Sequence, residues 1–257
     1  MLLDDTMGLY VVADGMGGHR AGEVASRLVV ETLKNFIRKF RENDGAEALI
    51  KTDENLSLEA NGLLSGILLS NGVVHQASRS NQSYRGMGST VSAVYFTDET
   101  IIAANVGDSP IHLIRDGKIT LLSVTHTVLA EQMAVDPHSV ELLGNEFQHV
   151  LTRAMGVEET IEADIHEIQC FKDDILVLSS DGLSDKASPE EILQVVINQK
   201  SDTACRRLVD LANIRGGDDN VTTIVLKVKT LHGRQARLKR WAETIKRRWS
   251  NFVIKRK

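Results

Sequence analysis

Three apolar runs in this chain break on an aspartate beside glycine, and a fourth aspartate sits in a glycine turn that opens another run. Leu9-Tyr10-Val11-Val12-Ala13 leads into Asp14-Gly15-Met16-Gly17-Gly18-His19. Ile101-Ile102-Ala103-Ala104-Asn105-Val106 leads into Gly107-Asp108-Ser109, and Ile175-Leu176-Val177-Leu178-Ser179-Ser180 into Asp181-Gly182. Gly216-Gly217-Asp218-Asp219-Asn220 precedes Val221-Thr222-Thr223-Ile224-Val225-Leu226. Apolar, β-rich runs of this length read as buried strands. An aspartate at the end of a rigid strand, next to glycines that admit a close backbone, is a good ligand for a hard cation. Taken singly, an Asp-Gly step is also a common β-turn. Taken together, the four predict one acidic cluster assembled from distant segments, as in a two-metal hydrolase.

At 257 residues and 42% hydrophobic content, the chain can bury one large core, in one domain or two. No internal repeat or low-complexity tract is visible, and with three prolines there is no long linker. Cys170 and Cys205 lie far apart without metal spacing, which fits a reducing compartment. No signal peptide opens the chain and no run reaches ~18 apolar residues, so a soluble, cytoplasmic protein is expected. Charge is uneven. Residues 230–257 hold ten of the 30 Lys and Arg but one of the 35 acids, Glu243, so this tail carries +9 and the remainder −14. An acidic body suits a protein that gathers cations rather than one that coats nucleic acid. The chain is expected to divide into a domain over 1–229 and a basic tail over 230–257.

Periodicity predicts a strand over Leu9–Ala13, a helix over Arg20–Phe40 and a second over Leu56–Ser80, the latter weakened by Gly62, Gly66 and Gly72. Strands are predicted at Ser89–Phe96, Ile101–Val106, Ile111–Arg115 and Lys118–Leu122, the last two joined by Asp116-Gly117. Thr127–Val150 reads as irregular or partly helical. Strands follow at Ile161–Gln169 and Ile175–Ser179, then helices at Ser188–Gln199 and Asp202–Asn213, then a strand at Asn220–Lys229. Ser188-Pro189-Glu190-Glu191 is a helix start with an N-cap, proline at N1 and acids in the first turn. The order suits an α+β layering with helices outside packed sheets.

The motifs, in order, resemble those of one family, the PP2C-type (PPM) metal-dependent serine/threonine protein phosphatases, in its bacterial branch. Val11 to His19 resembles the first metal motif and Gly88-Ser89-Thr90 the next. Asn105 to Ser109, Leu151-Thr152-Arg153-Ala154-Met155-Gly156, Ser180-Asp181-Gly182-Leu183 and Gly217 to Thr222 continue the series. The resemblance runs from about Leu9 to Val228. It implies an α-β-β-α sandwich: two antiparallel sheets flanked by helix pairs. It also implies hydrolysis of phosphoserine and phosphothreonine on proteins, opposing a Ser/Thr kinase, by a water activated between two Mn²⁺ or Mg²⁺ ions without a covalent phosphoenzyme. By the same resemblance Asp14 bridges both metals, Gly15 lends its carbonyl, and Asp181 and Asp219 complete the protein ligands of the first. Asp108 with Asp181 matches a third, weaker metal position. Gly17, Gly18, Gly107 and Gly217 are expected to serve the backbone rather than the chemistry.

The chain departs from the family pattern in several places. Met16 stands where the eukaryotic branch has a histidine assigned to leaving-group protonation. His19, three residues on, is a weaker candidate for that role, a helix-start or surface residue being the alternative. His126 resembles the family's Asp-His-Ser/Thr element with Thr125 in place of the acid, and Pro110 follows Ser109 where arginine is common. His75, His112, His138, His149, His166 and His232 show no ligand spacing and read as scattered surface residues. Upstream of the first motif the family carries a strand with a phosphate-binding arginine and a nearby Asn-Glu/Asp pair. Here thirteen residues precede Asp14 with no arginine among them, and Asp4 and Asp5 look like the hairpin before the Asp14 strand. The expectation is a lost or natively short amino terminus, an unpaired sheet edge and a substrate phosphate without its bidentate clamp.

Other phosphatase chemistries do not fit. Neither Cys170 nor Cys205 has an arginine six residues later, no Asp-x-Asp contains Asp14 or Asp181, and no phosphate-binding P-loop occurs. The alternative from another class is a catalytically weak PP2C-like regulatory or binding module. Leu238, Trp241, Ile245, Trp249 and Phe252 in the tail fall at steps of three and four among Arg and Lys, a basic amphipathic helix pattern. Such a helix docks on the acidic body or lies on an anionic membrane surface, which would place the enzyme peripherally at the inner face. Nucleic acid is disfavoured by the 4% aromatic content.

Overall fold

The computed structural model describes residues 1–42, 49–136, 147 and 149–230; of His19 it describes the backbone alone. Two antiparallel sheets form its centre. The five-stranded sheet has the order β1-β2-β5-β6-β9, formed by Leu2–Asp4, Leu9–Val12, Val91–Phe96, Thr100–Val106 and Asp164–Gln169. The four-stranded sheet has the order β11-β10-β7-β8, formed by Thr223–Lys227, Ile175–Ser179, Ile111–Arg115 and Lys118–Leu121. A two-residue ladder joins β3 (Gly15–Met16) to β4 (Gly88–Ser89). Helices α1 (His19–Glu42) and α2 (Leu58–Ser80) cover the larger sheet, while α5 (Pro189–Ile197) and α6 (Ser201–Ile214) cover the smaller. The shorter α3 (Val128–Val135) and α4 (Asp181–Ser184) lie in the connections.

Strands covered on both faces need apolar residues at successive positions, and that is why the runs are continuous rather than alternating. In β10, Ile175 and Val177 pack against the α5–α6 side, whereas Leu176 and Leu178 pack between the sheets. In β6, Ile102, Ala104 and Val106 face α1 and α2, and Ile101 and Ala103 meet the other sheet. Three stacked cores result: helix on sheet, sheet on sheet, and sheet on helix. Each fully buried Leu or Ile contributes about 1.5–3 kcal/mol relative to exposure. The α-β-β-α sandwich is therefore the observed architecture.

Helix α1 presents Ala21, Ala25, Val29, Leu33 and Ile37, one residue every four, to the core. Val24, Leu28 and Phe36 flank that face half-buried. Two of the three glycines that weakened α2 in the sequence, Gly62 and Gly66, lie where α1 crosses it. A Cβ on Gly62 would stand 2.6 Å from the Phe40 ring, and one on Gly66 2.7 Å from Leu33. Gly72 faces open space.

Several boundaries differ from expectation. The single strand expected over Ser89–Phe96 breaks at Thr90, whose N–H donates to the Asp14 carbonyl (2.7 Å) instead of continuing one ladder. β9 starts at Asp164, not Ile161, and β11 at Thr223, not Asn220. In the latter case Ser180 takes over Thr222: its hydroxyl accepts from the Thr222 N–H at 3.1 Å, and its own N–H donates to the Thr222 carbonyl at 3.0 Å. The α5 start is as expected, with the Ser188 hydroxyl accepting from Glu191 N–H and the Glu191 carboxylate from Ser188 N–H. β1 pairs with β2 as a hairpin, and β1 and β11 are edge strands of their sheets. Among the described residues no helix is long and apolar enough to cross a membrane. The amphipathic tail lies, apart from Thr230, outside the described residues.

Candidate active site

Asp14, Gly15, Asp108, Asp181 and Asp219 all line one cleft of ≈ 620 Å³ at the ends of β2, β6 and β10 and the start of β11. Each is delivered by backbone the sequence fixes tightly. A Cβ on Gly15 would lie 1.9 Å from the carbonyl oxygen of Gly22, so β3 and α1 touch there backbone to backbone. The need for glycine at 15 thus comes first from helix packing. Gly107 has φ 103°, in the region glycine tolerates, and a Cβ there would meet Thr90 at 2.7 Å.

The Gly88-Ser89-Thr90 and Gly107-Asp108-Ser109 motifs explain each other in space. The Thr90 hydroxyl accepts from the Asp14 N–H at 3.0 Å and lies 2.8 Å from the Ser109 hydroxyl. The Ser89 hydroxyl donates to the Asp14 carbonyl at 2.8 Å, and the Ser92 hydroxyl donates to the Ser109 carbonyl at 2.5 Å. All four hydroxyl residues are buried. Asn105 adds a second brace, its amide exchanging hydrogen bonds with both backbone groups of Val124. At the far wall the Asp181 carboxylate accepts from the Gly182 N–H at 2.7 Å, and the Ser180 hydroxyl donates to the Asn220 carbonyl at 3.1 Å. That latch ties the Asp181 turn to the Asp219 loop. The adjacent Asp218 points away and pairs with Lys186 on the surface.

His126 is not a surface histidine. It is 1% exposed, and its Nδ1 accepts from the Gly107 N–H at 3.0 Å. An acceptor Nδ1 places the proton on Nε2, which then donates to the Asp164 carboxylate at 2.7 Å. Burial, the largest cause, lowers its pKa and favours this neutral form. Arg153 Nη1 donates to the same carboxylate at 3.0 Å. The 3.4 Å approach of Arg153 to His126 Nε2 sets two donors side by side and is a contact only. His112 is also buried, against the surface expectation, and its pKa is pushed down to about 4 by burial. His149 is exposed as expected, yet it lines the cleft beside Asp108 and Asp181. His166 is exposed as expected, His75 is half-buried beside Gly156, and His138 and His232 lie outside the described residues. The His19 side chain lies outside them as well.

The acids crowd one another. Burial first, then the neighbouring Asp181, pushes the Asp14 carboxyl up to about 7. Asp108 rises to about 6 for the same two reasons in the same order. Like charges held this close by a braced backbone are costly unless a cation or proton offsets them. An all-oxygen donor set of carboxylates and one glycine carbonyl fits hard dications such as Mg²⁺ and Mn²⁺.

The protein phosphatase 2C family model matches residues 3–211. The chain belongs to the protein phosphatase 2C family. The serine/threonine phosphatase stp of Listeria monocytogenes is 30% identical over 229 residues, covering 87% of this chain and 85% of that protein. The crystal structure of the Mycobacterium tuberculosis serine/threonine phosphatase PstP/Ppp superposes with TM-score 0.72 at 29% identity, covering 86% of this chain and 88% of that one. A structure of the PstP catalytic domain in complex with two manganese ions superposes with TM-score 0.71 at 30% identity, covering 86% and 88%. Within this 2C frame, the buried hydroxyls of the second and third motifs emerge as the brace for the first. The sequence signal for that brace was the motifs themselves, read as a strand start at Ser89 and as the end of an apolar run at Gly107-Asp108-Ser109 rather than as partners.

Proposed function

We propose that this chain is a metal-dependent protein-serine/threonine phosphatase, acting on phosphoproteins made by a Ser/Thr kinase. The observation that carries the reading is the convergence of Asp14, Asp181 and Asp219 on one cleft, each on braced backbone. In this reading Asp14 and the Gly15 carbonyl, with Asp181 and Asp219, hold two Mn²⁺ or Mg²⁺ ions, and Asp108 with Asp181 serves a third position. When bound, the ions supply an acidified water and positive charge opposite the phosphoryl oxygens. The chain's own residues do the rest. The Thr90–Ser109 brace holds Asp14 in place, the Ser180 latch sets the spacing of Asp181 and Asp219, and burial sharpens every electrostatic contact in the cleft. Among the described lining residues Arg153 carries the one guanidinium, and Asp164 keeps it positioned at the cleft wall.

Purified protein given a phosphothreonine peptide should release phosphate with Mn²⁺ or Mg²⁺ and stop when the ion is chelated. Phosphate release unaffected by chelator would contradict the reading. A weak regulatory module, the other class, has less support, because every acid of the site is present and braced. The tail over 230–257 is proposed to bring the enzyme to an anionic membrane surface near such kinases or their substrates, on the strength of its basic amphipathic helix pattern with two tryptophans on the apolar side.

A further inference from the structure

We propose that His149 is a ligand of the third cation position together with Asp108 and Asp181, and that its imidazole biases that position toward borderline transition dications over Mg²⁺. One donor atom from each of the three residues lies within 4.8 Å of the others. Ligands around one octahedral dication stand about 3 Å apart in cis and just over 4 Å in trans, so small side-chain adjustments close the trio on an ion. A second observation supports the histidine as ligand. Its Nδ1 lies 3.7 Å from the Asp185 carboxylate, one helical turn after Asp181 at the end of α4. A metal-binding imidazole usually gives its other N–H to a carboxylate, which fixes the ring and raises its basicity. At 3.7 Å Asp185 stands just beyond hydrogen-bond distance of Nδ1, close enough to take that N–H once the ring turns onto an ion through Nε2. The ring is half-exposed on the cleft wall, so a cation can reach it from solvent.

The consequence is selectivity. The two inner positions offer carboxylate and carbonyl oxygen, which suit Mg²⁺ and Mn²⁺ alike. Adding one imidazole nitrogen to two carboxylates strengthens binding along the series from Mg²⁺ through Mn²⁺ to Co²⁺, Ni²⁺ and Zn²⁺. The inference rests on the reading of Asp181 as a metal ligand, and it adds a nitrogen donor to a site otherwise all oxygen.

That nitrogen is what the test detects. Mn²⁺ is titrated into the full chain, into His149→Ala and into Asp14→Asn. Bound ions are counted from the free-ion electron paramagnetic resonance signal, and pulsed measurements read any nitrogen coupling to bound Mn²⁺. Native protein should take up two ions and then a weaker third, with nitrogen coupling appearing at the third. His149→Ala should bind the first two unchanged, weaken the third at least about tenfold and lose the coupling. Mg²⁺ should displace Mn²⁺ less readily from the third position than from the others. Three bound ions without nitrogen coupling, coupling that survives in His149→Ala, or two ions only would each overturn the proposal while sparing the two-metal site. Failure of native protein to bind any Mn²⁺ tightly would overturn the two-metal reading itself, and this proposal with it.

Discussion

Thr90 and Asp14 hold each other by two hydrogen bonds in opposite senses. The Thr90 N–H donates to the Asp14 carbonyl at 2.7 Å, and the Asp14 N–H donates to the Thr90 hydroxyl at 3.0 Å. The second bond depends on the side chain, and the same hydroxyl reaches Ser109. Thr90→Val keeps the shape but leaves the Asp14 N–H and the Ser109 hydroxyl short of a partner, a loss of about 1–3 kcal/mol. The variant should fold with a lower Tm, and its Mn²⁺ affinity should fall because the Asp14 backbone is no longer pinned. A calorimetric melt and a Mn²⁺ titration check both.

Two glycines should respond in opposite directions to the same substitution. Gly15→Ala drives a Cβ to 1.9 Å from a backbone oxygen that cannot yield, so soluble folded protein should be lost. Gly72→Ala meets nothing within 4 Å on the exposed side of α2 and should stabilise by about 0.5–1 kcal/mol. Equal Tm values for native and Gly72→Ala would show that α2 is not helical at that point.

Proton binding gives a prediction with a definite sign. Asp14 in the metal-free fold keeps a proton up to about 7, whereas the unfolded chain loses it in the ordinary carboxylate range. Between those limits the folded state binds more protons, so this group's contribution makes stability fall as pH rises through the window. Buried His112 and His126 have the opposite sign, their pKa values lying below the unfolded value, so their share is lost as pH falls. Comparison with Asp14→Asn isolates the first effect. The native metal-free Tm should drop relative to that variant between pH 5 and pH 8, and Mn²⁺ should restore it in native protein alone. A pH-independent difference would contradict the raised Asp14 pKa and the burial and crowding by Asp181 behind it.

How much of this was legible in the chain depends on the range of the interaction involved. The buried strands, the Ser188 N-cap with Pro189 and the Asp116-Gly117 hairpin were readable because each is decided by neighbours in sequence. The pairing of Thr90 with Asp14, 76 residues apart, was not, and neither were the partners of buried His126 or the place of His149 in the cleft. Composition does not separate Asp218 from Asp219, and the family motif alone singled out Asp219; in space Asp218 pairs with Lys186, 32 residues away, at the surface. Gly62 and Gly66 only weakened the expected helix in the sequence, because Leu33, Phe36 and Phe40, which need their space, lie on another helix.

The tail can be tested apart from catalysis. Full-length protein should co-sediment with vesicles containing phosphatidylserine but not with neutral vesicles. Added salt should weaken the interaction because the attraction is screened. Each Lys or Arg near the surface contributes about 1 kcal/mol, and Trp241→Ala with Trp249→Ala should reduce binding even at low salt. Unchanged sedimentation after removal of residues 231–257, with a lower Tm, would show a helix docked on the acidic body instead.

The central claim is that Asp14, Asp181 and Asp219 together hold the ions that drive phosphate release. The most direct measurement is Mn²⁺-dependent phosphate release from a phosphothreonine peptide by native protein, Asp181→Asn and Asp219→Asn, each first shown to be folded by its melt. The account predicts a rate lowered by orders of magnitude in both variants, since each removes a charged donor from the site. Parental rates in either folded variant would contradict it.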